Sequence, residues 1–375
     1  MRLLIAGDLV PTESNINLFE NGEVDKLLGE ELLAIWNSAD KRIFNLELPL
    51  TDRNTPIIKC GPNLSVPSKV INGIKKLNPT LITLANNHIL DHGVVGLKST
   101  ENILKKYDIP YVGVGDSLND AKKPYIIEEN GLKIGIYACA ENEFSIATDS
   151  SAGANPFDPL ESLDHIYDLK KQCDYVIVLY HGGKEHYRYP SPNLQKVCRK
   201  LVEKGADLVV CQHSHCIGCE EIYKDSTIIY GQGNFIFDYS ESDFWKTSIL
   251  LQVNIEHKLS VEYIPIVKVN NTVSLADADK SKVILKEFFQ RSNEIKEEKF
   301  IENNYERFAG QMFDSYLIGF HGDNIVYRIM NKISRGKLTK QLYSQKSLLW
   351  IRNIIECEAH RELVLNYLSR GKKRE

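Results

Sequence analysis

Over the first 270 residues, short apolar runs alternate with stretches whose apolar residues recur every three or four positions. The runs read as buried strands and the stretches as amphipathic helices. "RLLIAG" is a strand that ends in Gly7-Asp8. "VDKLLGEELLAIWNSA" reads as one helix, and "KRIFNLELPL" as a strand that stops at Pro49. "PSKVINGIKKLN" is helical and leads into the strand "TLITLA"; "GLKSTENILKKY" is helical and leads into the strand "IPYVGVG". "KPYIIEENGLKIGIYACA" reads as a hairpin about Glu129-Asn130-Gly131. "DYVIVLYHG", "ADLVVCQHSH" and "STIIYGQGNFIF" are further apolar runs, the first two separated by helical "PNLQKVCRKLVEKG". "KTSILLQVNIEHKLSVEYIPIVKV" closes the series as an antiparallel pair. This order predicts an α/β core with much parallel pairing and antiparallel edges.

The pattern changes near residue 270. From "DADKSKVILKEFFQRSNEIKEEKF" onward the chain is mostly helical and highly charged. The expected division is a domain over 1–270 and a helical C-terminal extension over 271–375. The apolar positions of "SLLWIRNIIE", Trp350 among them, predict a packing stripe in a core. The extension is expected to serve a homodimer or a partner enzyme. Its end, "SRGKKRE", reads as a frayed, solvated tail.

Composition narrows the class. With 375 residues, 43% hydrophobic and 26% charged, the chain suits a soluble globular protein. A formal charge of −4 argues against a general nucleic-acid or membrane-surface binder and leaves room for local basic patches. No run of about 18 apolar residues occurs, so no membrane span is expected. The start "MRLLIAGDLVP" lacks the apolar segment of an export signal, which gives a cytoplasmic expectation. The eight cysteines are then expected as thiols. Cys216 and Cys219 have zinc-knuckle spacing, but no second such pair accompanies them. "GVGDS" at 113–117 lacks the glycine order of a dinucleotide fold.

Five of the expected strands end in residues of metal-ligand type. They are Asp8; Asn45 and Glu47; Asn86-Asn87-His88 with Asp91 beyond; His181; and His213-Ser214-His215. Ligands gather at the carboxyl ends of strands in open α/β folds. Carboxylate, amide oxygen and imidazole together suit a divalent cation such as Mn²⁺, Fe²⁺ or Zn²⁺. Taken singly, each residue has a plainer reading as a turn former or a helix cap. His213 and His215 in a strand would share one face, since the side-chain period is two. The recurrence at successive strand ends favours the metal. In Tyr230-Gly-Gln-Gly-Asn234 the glycines would let backbone approach the site closely, with Asn234 bonding a group there. Phe235, Phe237 and Trp245 are expected in the core.

Several segments carry a resemblance. "AGDLVPT", "NLELPLT", "LITLANNHILDHGVVGLKSTENILKKYDIPYVGVG", "HGGKEHYRYPSPNLQKVCRKLVEKGADLVVCQHSH" and "YGQGNFIFDY" resemble the CapA family of bacterial capsule or poly-γ-glutamate synthesis proteins. That family is similar in fold to the calcineurin-like metallophosphoesterases. The likeness covers about residues 1–270 and not the extension. It implies a four-layer α/β/β/α sandwich with a metal site at the strand ends. Asp8 matches the acidic residue of the first motif, and Glu47 stands where a bridging acid is usual. Asn87 and His88 match the Asn-His pair, Asn87 as a ligand and His88 as an acid/base group or a residue that supports the ligands from behind. His181, Gly183 and Glu185 fit a His-x-Gly-x-Glu pattern, and His213 and His215 the last pair. The first motif departs from the phosphoesterase pattern, with Val10 where a histidine is usual. One cation is therefore expected, held by some of Glu47, Asn87, His181 and His213. Asp8 and His215 are available for a second.

The function so implied is metal-dependent hydrolysis in the making of an anionic surface polymer, by phosphoester or acyl-phosphate cleavage. His88 would protonate a leaving oxygen or stabilise charge, and Asp91 would orient His88 or cap the next helix. Glu185 would be a general base or a structural partner of Arg188. Arg53 and Lys59, with Asn234, would contact an anionic substrate. Two rival readings stand beside it: a non-catalytic scaffold module of a polymer-synthesis complex, and an amidase or peptidase for γ-glutamyl bonds.

Overall fold

In the computed structural model, which describes residues 1–238, 241–322 and 324–369, the apolar runs form two sheets packed face to face. The first sheet has the order β16 (Thr272–Leu275), β15 (Leu259–Val269), β14 (Thr247–Ile255), β1 (Arg2–Val10), β2 (Lys41–Leu46), β3 (Leu81–Thr83), β4 (Tyr111–Val112). β13 (Ile236–Phe237) adds a short parallel pairing to β1. The second sheet runs β11 (Glu220–Tyr223), β12 (Ser226–Tyr230), β10 (Leu208–Gln212), β9 (Tyr175–His181), β7 (Leu132–Ala140), β6 (Tyr125–Glu129). β1 to β4 are parallel, as are β7, β9, β10 and β12. The antiparallel strands lie at the edges: β14 to β16 in one sheet, β6 and β11 in the other.

Three apolar clusters define the layers. Between the sheets lie Leu3, Ile5, Ile43, Ile136, Leu179 and Val210, all buried. On the outer face of the first sheet sit α1 (Ile16–Asn21), α2 (Val24–Leu28), α3 (Glu30–Asn37), α4 (Ile71–Lys76) and α5 (Gly93–Lys106). Trp36 of α3 stacks on Phe235 at 4.9 Å there. α7 (Ser162–Lys170) and α8 (Pro192–Glu203) cover the second sheet through Ile166, Leu169, Cys198 and Leu201. The result is the expected α/β/β/α sandwich.

Local chemistry explains where elements break. The stretch expected as one helix parts into α2 and α3 at Gly29, whose φ of 66° lies in the left-handed region. "IPYVGVG" turns at Gly113 (φ 89°) into β4 and β5 (Val114–Gly115), and β5 pairs with β8 (Gly153–Ala154) rather than with the main sheets. The β6–β7 hairpin forms as expected, with Asn130 and Gly131 both at positive φ. α6 (Leu118–Ala121) is a single turn.

The chain divides into two compact units, Met1–Ile301 and Glu302–Glu375. The expected boundary at 270 falls just short of β16 and α9 (Ala278–Glu294), which belong to the first unit. α9 buries Ile284 and Phe288 among the apolar residues between the sheets. Its charged outer positions made it read as part of the extension. After α10 (Phe300–Gly319), the second unit continues with α11 (Ile325–Ile333), α12 (Lys337–Leu342), α13 (Gln345–Glu356) and α14 (Glu358–Ser369). The stripe expected in a core is not buried: Trp350 is 66% exposed, and Leu349, Ile354 and Ile355 are exposed with it. The basic tail over 370–375 lies outside the described residues.

Candidate metal centre

The donors gather between the two sheets, at the carboxyl ends of parallel strands from both. β1 places Asp8, β2 leads into Glu47, and the turn after β3 carries Asn87 and His88. From the second sheet, β9 ends in His181, and His213 and His215 follow β10. Asp8, Glu47 and His181 are 1%, 0% and 2% exposed, so water cannot compensate their charge or polarity.

His181 is the hub. Its Nε2 lies 3.1 Å from Asn87 Oδ1, 3.1 Å from Glu47 Oε1 and 3.2 Å from His213 Nδ1. One nitrogen carries at most one proton, so it cannot serve both oxygens. The Glu47 contact is close but not aligned as a hydrogen bond, and both Glu47 carboxylate oxygens are buried without a hydrogen-bond partner. Burial, and then the nearby Asp8 charge, push the Glu47 carboxyl up to about 8. Burial likewise lowers the proton affinity of His181, and lowers that of His213 further. An acceptor-rich pocket of this kind fits a divalent cation. Two donor sets share Glu47: Glu47, His181 and His213 offer atoms within 4.8 Å of one another, and Asp8, Glu47 and His215 do the same.

The histidine pair reaches the site by a different route from the one expected. β10 stops at Gln212, and His213 and His215 adopt φ of 82° and 51°, so strand alternation does not align them. A non-glycine residue in that region costs about 1–3 kcal/mol. Hydrogen bonds hold both in place. Asp8 Oδ2 accepts the His213 backbone N–H at 3.2 Å, and Asn234 Oδ1 pairs with His215 Nδ1 at 2.8 Å. Trp245 stacks on the His215 ring at 4.6 Å. Asn234, expected against substrate, thus orients a donor. Asn45 Nδ2 donates to Asp8 Oδ1 at 2.8 Å and lies 3.3 Å from His181 Nδ1.

His88 sits at the rim. Its Nδ1 is 2.6 Å from Asp91 Oδ2, and Lys59 Nζ lies 3.2 Å from the same nitrogen. Lys59 also forms an ion pair with Asp91 Oδ1, with its side chain only 3% exposed. Lys59 therefore braces His88 and Asp91 and does not face solvent. Asp91 does not cap α5. The cap position is His92, and Asp91 instead accepts the Leu64 backbone N–H at 2.6 Å. Arg53 is exposed and lines a cavity of about 670 Å³ along α5 that contains none of the donors. Glu185 is exposed, 4.0 Å from His213 Nε2, while Arg188 donates to the Ile217 carbonyl. Val10, Leu48 and Phe237 line a second cavity of about 500 Å³ beside the strand ends.

Glu141 was missed in the sequence. It follows β7, accepts the Gly183 N–H at 3.1 Å and lies against Gly182, behind the His181 loop. Its strand-end position was the available signal. Cys216 and Cys219 are buried thiols outside both donor sets.

A profile described as "Bacterial capsule synthesis protein PGA_cap" matches residues 2–239. The chain belongs to this capsule synthesis family. The PGA biosynthesis protein CapA of Bacillus subtilis is 29% identical over 267 residues, covering 69% of this chain and 70% of that protein. The capsule biosynthesis protein CapA of Bacillus anthracis is 32% identical over 182 residues, covering 47% of this chain and 44% of that protein. Among solved structures, a novel phosphatase of Mycoplasma pneumoniae has a TM-score of 0.43 at 17% identity, covering 75% of this chain and 96% of that one. A putative 5'-nucleotidase of Staphylococcus aureus has a TM-score of 0.44 at 14% identity, covering 76% and 57%. The PGA_cap match takes in all of the donors and stops before α9 and the second unit.

Proposed function

We propose that this member of the PGA_cap family is a divalent-metal-dependent hydrolase that cleaves a phosphoester or acyl-phosphate in the making of an anionic surface polymer such as poly-γ-glutamate. The observation that carries the reading is the Glu47 carboxyl group, buried, with no hydrogen bond to either oxygen and surrounded by Asp8, His181, His213 and His215. Glu47, His181 and His213, with Asn87, would hold one cation; Asp8 and His215, sharing Glu47, would hold a second. Such a cation supplies Lewis acidity, polarising a phosphoryl oxygen and acidifying an attacking water.

The chain's own residues divide the remaining work. Asp91 engages His88 Nδ1, which leaves Nε2 free to hold or give a proton at a leaving oxygen. Lys59 and the Leu64 N–H hold Asp91 in place. Asn45 and Asn234 fix the orientations of Asp8 and His215. A scaffold role without turnover has one observation in its favour: Val10, where a histidine is usual in phosphoesterases, is an apolar, buried residue.

The test is elemental analysis of untagged protein together with phosphate release from generic esters and acyl-phosphates. One or two equivalents of Mn, Fe or Zn are expected, lost in Glu47→Gln and His181→Ala. Turnover is expected to need the metal and to fall about 10²–10⁴-fold in His88→Ala. Bound metal without turnover on any ester, acyl-phosphate or γ-glutamyl amide would favour the scaffold. No metal in protein incubated with these cations would sink the site.

A further inference from the structure

We propose that the C-terminal helices form a peripheral docking face for an anionic lipid surface. In α11 the usual amphipathic order is inverted. Its inward side makes polar contacts: Tyr327 Oη lies 2.7 Å from Thr339 Oγ1, and Asn331 Oδ1 accepts the Thr339 N–H at 3.1 Å. Its outward side is apolar. Ile325, Ile329 and Ile333 recur every four residues and are exposed, Ile333 at 78%, with Val326 and Met330 beside them. α13 buries none of its residues and exposes Leu349, Trp350, Ile354 and Ile355. α14 exposes Leu363, Leu365, Tyr367 and Leu368. α11 alone carries five exposed apolar side chains along one arc, which is uncommon on a protein that works alone in water.

Charge selects the occupant. Residues 325–369 hold eight Lys or Arg against three Asp or Glu, in a chain whose total is −4. On α11, Arg328 and Lys332 flank the apolar arc, and Arg335, Lys337 and Lys340 follow at once. Apolar side chains beside a basic flank, with an exposed Trp and Tyr, are the make-up of helices that lie in a membrane interface. Helices of 9 and 12 residues are too short to cross, and among the described residues no helix is long and apolar enough to do so. A second copy fits less well, since an isologous contact would set the same basic flanks against each other.

The full chain offers its own reporter. Of its three tryptophans, Trp36 and Trp245 are buried, so a change in Trp environment on docking reports Trp350. The experiment adds vesicles of phosphatidylcholine, with or without about a third of phosphatidylglycerol, and reads Trp emission and co-sedimentation. The expected result is a blue shift and co-sedimentation with the anionic vesicles, reversed by high salt, and little with the neutral ones. Lys332→Gln with Arg335→Gln should weaken binding about twenty-fivefold, about fivefold per surface cation. Ile329→Ser with Ile333→Ser should weaken it at least about tenfold and leave metal content unchanged. No blue shift and no co-sedimentation at low salt would overturn the proposal. So would a vesicle-independent blue shift that tracks protein concentration and a dimer mass, which would assign the face to a second copy.

Discussion

At the residue scale, the centre turns on a carboxylate that the fold isolates from water and from hydrogen bonds. In metal-free protein the Glu47 carboxyl sits near 8 rather than its ordinary 4.5. The native state then keeps a proton that the unfolded chain has released. Glu47's contribution to stability is therefore full below about 4.5 and lost as pH rises toward about 8. The lowered histidines His181 and His213 have the opposite sign, favouring the fold as pH rises. Above pH of about 7 they are neutral in both states and drop out. Chelator-treated wild type should thus lose stability between about pH 7 and 8, with a slope of up to about 1.4 kcal/mol per unit, and Glu47→Gln should flatten it. Denaturant melts of the two proteins across that range decide the point; parallel curves would mean that Glu47 is not carrying the proton. The Lys59–Asp91–His88 trio makes a separate prediction. Asp91→Asn should lower kcat about tenfold or more while metal content stays at the wild-type level, because Asp91 touches His88 and no donor of either set. Lost metal in that variant would place Asp91 in the centre itself.

At the element scale, close backbone approach sets the site's depth. Gly7 of β1 faces the Gly233 carbonyl, and an added Cβ would sit 2.0 Å from that oxygen. The approach is held from both sides: Asp8 and Leu9, just after Gly7, pair with β2, the Phe235 N–H donates to the Asp8 carbonyl at 2.9 Å, and Gly233, at φ 79°, abuts Ser248 of β14. Gly7→Ala should cost about 3 kcal/mol or more, beyond ordinary overpacking, and should also pull Asp8 and Asn234 apart. Thermal melts and metal content measure the two effects; a stable variant with normal metal would show that the β1–β13 contact is soft. The glycines of "YGQGNF" were legible as a device for close approach. The partner, Gly7, was not, because nothing local pairs residue 7 with residue 233.

At the scale of the whole molecule, the cation and the sandwich are expected to stabilise each other. Ligand at about 100 times its dissociation constant adds about 2.7 kcal/mol to the native state. Mn²⁺ or Zn²⁺ should raise the melting temperature of chelator-treated protein by about 2–4 °C. Hydrogen exchange should slow at the ends of β1, β2, β9 and β10 and stay unchanged in α11 to α14; uniform slowing would point to non-specific binding. The sequence by itself determined the element order, the parallel core with antiparallel edges, the β6–β7 hairpin and the family. Each of these rests on local periodicity, turn chemistry or contiguous motifs, which need no knowledge of distant contacts. It also marked Asp8, Glu47, Asn87, His181, His213 and His215, because polar residues at the ends of buried strands stand out without a fold. Only the tertiary structure decided that donors from two separate sheets meet around Glu47, that Lys59 braces Asp91, and that α9 belongs to the core. It also left Trp350 on an open face. These outcomes depend on packing between segments far apart in the chain, where charge, burial and partner are properties of the assembled layers and not of any one stretch.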